Sequence, residues 1–373
     1  MEIKNVLVTG EACFLDRYQF LFKSLSNHFE HLNFLPRPIE WYEAKLPRTV
    51  IKGLLTLRTG DLNRANAVFQ KNKTAFVMKS QRAERDIQQL NNPPDLVFQV
   101  FGTYSPFWNH SEIPYVMYLD YTTALAEKNW PGWATFLDKR SRDAWFEGER
   151  LAYARAKHIF CMNQVTKDSL VQDYAIPPKA ITVVGSSGNS QEPYAGEKTF
   201  GRHQLLFNGS DFDRKGGDLV LAAFREVRQA IPDAKLVIVG KTLTSNEAGV
   251  FIPGYITSRS QMHQLFLETD LVVAPASCDP FPTFLMEAMN YGVPCVVSNQ
   301  DGMPEIVDHL LNGVVIDQPT PSSLAKSVID LLHHPVQLNT MSQAARYKIR
   351  TQLNWGTVAH KITQALSISI GNT

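Results

Sequence analysis

Cysteine is scarce and scattered. Cys13, Cys161, Cys278 and Cys295 form no C-x-x-C pair. That excludes a disulfide framework and a cysteine-based zinc site, and fits a reducing, cytoplasmic compartment. No run approaches the about 18 consecutive apolar residues of a membrane-spanning helix. The apolar stretch Asn5 to Thr9, behind Met-Glu-Ile-Lys, is too short for a secretory leader and reads as a first strand. Without secretion the sequons at Asn72, Asn109 and Asn208 carry no meaning. An excess of one charge is also lacking: 37 Lys and Arg face 36 Asp and Glu, a net of +1. This excludes a general polyanion binder, nucleic acid included. No G-x-G-x-x-G follows the first strand, which argues against a dinucleotide oxidoreductase. Neither G-x-S-x-G nor H-E-x-x-H occurs, so the common hydrolase sites have no support.

What is present is a 373-residue chain, 44% apolar and 20% charged. At roughly 150 residues per domain, that length suggests two domains. Short apolar runs alternate with helical patterns. The expected strands are Val6–Val8, Asn33–Leu35, Leu96–Val100, Tyr115–Leu119, His158–Cys161 and Ile181–Val184. A second series follows at Gln204–Phe207, Lys235–Val239, Leu271–Ala274, Cys295–Ser298 and Gly313–Ile316. Helices are expected between them, among others at Asp16–Ser26, Gly217–Ala230 and Thr283–Tyr291, and past Pro319 the chain reads as all helical. Strands alternating with helices predict parallel sheets covered on both faces. The pattern breaks at Gly185–Arg202, where Gly, Ser, Pro and charge dominate, and this reads as a linker between two α/β halves. Residues 41–90 stand apart with ten Lys or Arg against four acids. Within them Arg48–Arg58 reads as a basic amphipathic segment suited to an anionic membrane surface; a solvated helical face over a buried one is the other reading.

Two segments carry chemistry. In Cys278–Gly292, an apolar strand leads through a loop to a helix starting near Thr283. Such a helix N-terminus sits at the carboxyl edge of a parallel sheet, with unpaired amides and a positive dipole end suited to an anion such as a diphosphate. Thr283 is a candidate N-cap, but Met286 three residues on supplies no capping box. Asp279 precedes the helix and Glu287 lies one turn inside it, spaced to hold two sets of sugar hydroxyls; a dipole-favouring acid plus a surface Glu is the plainer reading. In Phe207–Phe224 a second strand–loop–helix places Arg214 and Lys215 before Gly216 and Gly217. Two cations beside a helix start suit a diphosphate, with Arg able to bind it bidentately.

Together these segments resemble the glycosyltransferases of the GT-B fold, in particular the large retaining family 4. The matches run from Gly209 to Gly216, through Leu236–Gly240 and Asp279 to Glu287, to GVPCVVS from Gly292, DGMPEIV (Asp301–Val307) and NGVVI (Asn312–Ile316). The resemblance covers essentially all of 203–350. It implies two Rossmann-like α/β/α domains facing across a cleft: an acceptor-side domain at 1–185, a nucleotide-sugar domain at 203–352, and a C-terminal helix at 353–373 crossing back. It implies retaining, metal-independent sugar transfer from a nucleotide-diphosphate sugar to an unidentified acceptor hydroxyl, with no cofactor and with the leaving phosphate taking the acceptor proton. Lys215, with Arg214 sharing the task, would neutralise the diphosphate, near Gly209 and Ser210. Glu287 would hold the ribose and Asp279 the transferred sugar, and the stretch from Phe281 through Pro282 and Thr283 to Phe284 would meet sugar and phosphate with its amides. Tyr255 and Ile256 sit where the nucleobase meets the family's backbone.

The sequence departs from that family in four places. Asp279 stands where the family has Glu, Ser210 where it has Arg, and Asp120 where it often has a catalytic His. An acid there accepts a sugar hydroxyl or stabilises positive charge, unless Asp120 is an ordinary cap or turn residue. The Gly-rich first loop is reduced to Thr9-Gly10-Glu11-Ala12. Two other readings stay open: a nucleotide-sugar epimerase on the same architecture, or a non-catalytic nucleotide-sugar-binding protein. Asp211-Phe-Asp213 matches the metal-binding Asp-x-Asp of other glycosyltransferases and is taken as coincidence. His110, beside Trp108, is taken as structural.

Overall fold

The computed structural model describes residues 3–42, 44–109, 111–190 and 192–369; His110 lies outside them. The chain divides into two compact units, Met1–Gly185 with Ala359–Thr373, and Ser186–Val358.

The first unit holds strands β1 (Asn5–Glu11), β2 (His31–Arg37), β3 (Leu96–Val100), β4 (Tyr115–Leu119), β5 (His158–Cys161) and β6 (Ile181–Val183). Its helices are α1 (Ala12–Arg17), α2 (Gln19–Leu25), α3 (Lys45–Thr59), α4 (Leu62–Gln70), α5 (Lys73–Gln88), α6 (Thr123–Asn129), α7 (Lys139–Arg155) and α8 (Gln164–Gln172). The strands form one parallel sheet in the order β2-β1-β3-β4-β5-β6. Every residue of β3 and β4 is buried, as a parallel strand covered on both faces requires. The single helix expected at 16–26 is two helices broken at Tyr18. The Tyr18 ring is buried edge-on against Phe101 and Tyr118, so packing overrides the helical periodicity there.

The second unit holds β7 (Gln204–Asn208), β8 (Lys235–Val239), β9 (Val250–Gly254), β10 (Leu271–Ala274), β11 (Cys295–Ser298) and β12 (Gly313–Ile316). Its helices are α9 (Gly217–Ala230), α10 (Arg259–Glu268), α11 (Thr283–Asn290), α12 (Met303–Ile306), α13 (Pro321–Leu332) and α14 (Pro335–Thr351); α15 (Trp355–Ser369) begins here and continues in the first unit. The sheet is again parallel, ordered β12-β11-β10-β7-β8-β9. One core layer packs Leu205, Phe207, Leu236 and Ile238 of the sheet against Val220, Phe224 and Val227 of α9 and Leu324 and Val328 of α13. Strand order reverses between β7 and β10, which opens the crevice at their carboxyl ends where doubly wound sheets bind ligands.

Residues 186–202 form no helix or strand, as their composition predicts, but they do not hang free. Lys198 Nζ donates to the carbonyls of Leu267 and Thr269 at 2.7 and 2.5 Å, Gly201 N–H donates to Asp270, and Arg346 Nη1 donates to the Gly196 carbonyl. The segment is a strap fastened to the second unit.

Candidate functional site

The loops after β7 and β10 meet at the switch point. The β7 loop ends at Gly216, which caps α9 in the left-handed region at φ +80°. A Cβ there would stand 2.7 Å from the Pro275 carbonyl oxygen, so only glycine allows both the turn and the approach of the two loops. Ser277 fastens them further, its N–H and hydroxyl both donating to the Arg214 carbonyl at 3.0 and 3.1 Å. A third loop joins after β11: Asp279 N–H donates to Asp301 at 2.8 Å, and Gly302 N–H to the Pro280 carbonyl at 3.0 Å.

The two adjacent cations have different tasks. Arg214 is buried. Its guanidinium donates to Asp211 at 2.6 Å and to the Cys278 carbonyl, and stands 3.5 Å from Asp279. Burial opposes its charge, but Asp279 and Asp211 outweigh that and raise its pKa. It braces one loop against the other. Lys215 Nζ instead meets Asp279 Oδ2 at 2.7 Å, beside a small cavity also lined by Asn208, Pro282, Phe284 and Leu285.

The cap of α11 is Pro282, not Thr283, and no side chain caps it. Proline fixes φ and brings no hydroxyl, so the first-turn amides keep no side-chain partner. Phe281 and Pro282 are buried; Thr283 and Phe284 are half-buried. One turn on, Glu287 accepts the Asn189 N–H at 3.1 Å. Burial raises its pKa above the usual 4.5, partly offset by Asn189 and Arg259. The strap reaches it because residue 188 is glycine: a Cβ there would stand 2.8 Å from Glu287 Cγ. Gly188→Val is therefore expected to displace Glu287 from the strap with the fold kept, read as faster hydrogen exchange of the Asn189 amide.

Gly209 is buried, its N–H on the Val239 carbonyl at 2.8 Å, and Ser210 is exposed beside it. Tyr255 and Ile256 follow edge strand β9, two strands from β7, and Tyr255 is 70% exposed. Asp211 is taken up by Arg214, and the described residues hold no cluster of three metal-ligating side chains. Asp120 belongs to the first unit, at the carboxyl end of β4. It is not the helix cap, because Thr122 caps α6. Its carbonyl accepts Asn163 Nδ2 at 3.1 Å and the Thr166 hydroxyl at 2.5 Å. Its charge adds to the burial that raises the Tyr18 and Tyr153 hydroxyls.

Sequence reasoning missed three partners of the site: Asp211 on Arg214, Asp301 on the Asp279 amide, and the 188–189 strap on Glu287. Asp301 lies inside the quoted DGMPEIV motif, so its presence was visible and its contact was not.

Two parallel, doubly wound units with a loop crevice at the second unit's switch point define the GT-B fold. Solved structures of that shape agree. Sucrose-phosphate synthase from Thermosynechococcus elongatus superposes with a TM-score of 0.69 at 12% identity, over 99% of this chain and 100% of that one. Anabaena HepE in complex with UDP and glucose gives 0.62 at 15% identity, over 98% and 100%. Residues 195–348 match the family described as glycosyl transferases group 1. Among curated relatives, the D-inositol 3-phosphate glycosyltransferase of Segniliparus rotundus is 26% identical over 223 residues, 53% of this chain. The match spans about half that relative's length, 49%.

Proposed function

We propose that the protein is a retaining glycosyltransferase that moves a sugar from a nucleotide-diphosphate sugar to an acceptor hydroxyl without a metal. The Lys215–Asp279 pair at the switch point carries the reading. Without a donor, each charge satisfies the other. A diphosphate takes Lys215 and the α11 amides, which frees Asp279 for the hydroxyls of the transferred sugar. Arg214 holds the loops in register meanwhile and remains beside Asp279 as a second positive charge. Growing charge on the leaving phosphate meets Lys215 and the helix dipole, the electrostatic effect that commonly dominates such reactions. That phosphate takes the acceptor proton, and Glu287 holds the ribose. The UDP complex of the similarly folded HepE supports a nucleotide donor. Contact of residues 41–90 with an anionic membrane belongs to the same reading, supported by their excess of Lys and Arg.

A thermal-shift screen of nucleotide sugars tests the donor assignment, because a ligand that binds only the native state raises apparent stability. At least one nucleotide sugar is expected to raise the midpoint; no shift with any of them would sink the reading. Asp120 takes the part of the family's His. Asp120→Asn is expected to lower kcat about 10²-fold or more with donor affinity unchanged, checked by steady-state kinetics beside calorimetry. An unchanged kcat would leave Asp120 a turn residue.

A further inference from the structure

The basic stretch has an apolar outer face. Helix α3 spans 15 residues and buries none of them fully. Its inner side is thin: half-buried Ile51 and Leu55 rest on the small cluster of Trp41, Phe69 and Ala75. Its outer side presents Leu46, Val50, Leu54 and Leu57, which are 83%, 61%, 62% and 84% exposed. Spacings of four, four and three residues align them in one stripe, about 16 Å long at 1.5 Å per residue. Ile39 before the helix and Leu62 after it are also exposed.

The charges around the stripe indicate what covers it. Helix α3 carries Lys45, Arg48, Lys52 and Arg58 and no acid. Lys52 turns inward, onto Glu40 at 2.8 Å and over the Phe69 ring. Lys45 and Arg58 are exposed, one near each end of the stripe. A protein partner needs only a complementary apolar patch. An apolar stripe on a helix that itself carries cations and no acid matches the boundary between acyl chains and anionic headgroups, with Asp61 and Asp138 the acids near its Arg58 end.

We propose that α3 lies in the interface of an anionic bilayer, with Leu46, Val50, Leu54 and Leu57 inserted among the acyl chains and Lys45 and Arg58 at the headgroups. The proposal rests on the membrane contact already read from residues 41–90, and specifies that insertion rather than charge alone holds the chain there. No helix among the described residues is long and apolar enough to cross a membrane.

The test uses the full chain and vesicles of phosphatidylcholine with and without about a third phosphatidylglycerol, an anionic content at which clustered cations gain appreciable binding. The wild type is expected to sediment with the anionic vesicles. Leu46→Ser with Leu57→Ser is expected to lose at least tenfold in partitioning while donor binding by the second unit is kept. Leu57→Trp is expected to shift its emission to the blue on binding and to be quenched by lipids brominated in the chains. If the double Ser variant partitions like the wild type while Lys45→Gln with Arg58→Gln does not, insertion is overturned and the membrane contact stands. If the wild type binds neither vesicle, both fall. Dimerisation of the wild type that the Ser variant loses, without vesicle binding, would assign the stripe to a second copy of the chain and overturn the proposal.

Discussion

Lys215→Ala is expected to lower kcat/KM by about 10²–10³-fold, the range seen when one preorganised charge-stabilising donor is removed. The loss has two parts. Lys215 would no longer meet the diphosphate, and Asp279 would fall back on Arg214, 3.5 Å away, instead of turning to the sugar. The fold is expected to survive, because the loops are held by Arg214, Ser277 and Gly216 rather than by Lys215. Lys215→Arg is expected to restore only part of the activity, since a planar fork does not replace a compact ammonium in a small cavity. Unchanged kinetics in the alanine variant would remove Lys215 from the site.

Glu287→Gln is expected to weaken nucleotide affinity by about 10–100-fold, the worth of hydrogen bonds to a charged acceptor, and at the same time to stabilise the free protein. The second effect follows from the raised pKa. An acid whose pKa is higher folded than unfolded binds more protons in the native state. It therefore costs stability as pH rises from the ordinary 4.5 through its folded value, and that cost persists at pH 7. Glutamine keeps an acceptor for the Asn189 N–H and removes the charge, so the thermal midpoint at pH 7 should rise. Donor affinity of the wild type should fall as pH is lowered, with a midpoint above 4.5, and the glutamine variant should lose that dependence. Calorimetry across pH reads the first, a melting curve the second. A variant that binds donor like the wild type would take the ribose role from Glu287.

Strands buried on both faces were legible because an uninterrupted apolar run is what such a strand needs. Leu96–Val100, Tyr115–Leu119 and Leu271–Ala274 were placed to the residue. Strand β9 escaped notice because it is an edge: Phe251 is exposed, Val250 and Ile252 half-buried, and Pro253 sits where only an edge strand tolerates it. In the site, the order of motifs gave the loops but not the aim of their side chains. Arg214 and Lys215 are neighbours in sequence, yet the turn sends one inward to Cys278 and Asp211 and the other to Asp279. The 186–202 strap was opaque for another reason. Its composition describes its backbone, while its partners, Glu287, Asn290 and Trp355, lie about a hundred residues or more away. Likewise the basic content of 41–90 was plain, but only the packing of Ile51 and Leu55 fixes which side of α3 faces out.

The claim that Lys215 exchanges Asp279 for a diphosphate is tested most directly by titrating UDP, GDP and ADP, each beside its parent nucleoside, into the wild type and Lys215→Ala. At least one diphosphate is expected to bind the wild type saturably and to lose about tenfold or more in affinity for the variant, while its nucleoside binds both proteins equally. Equal diphosphate affinity in the two proteins would contradict it.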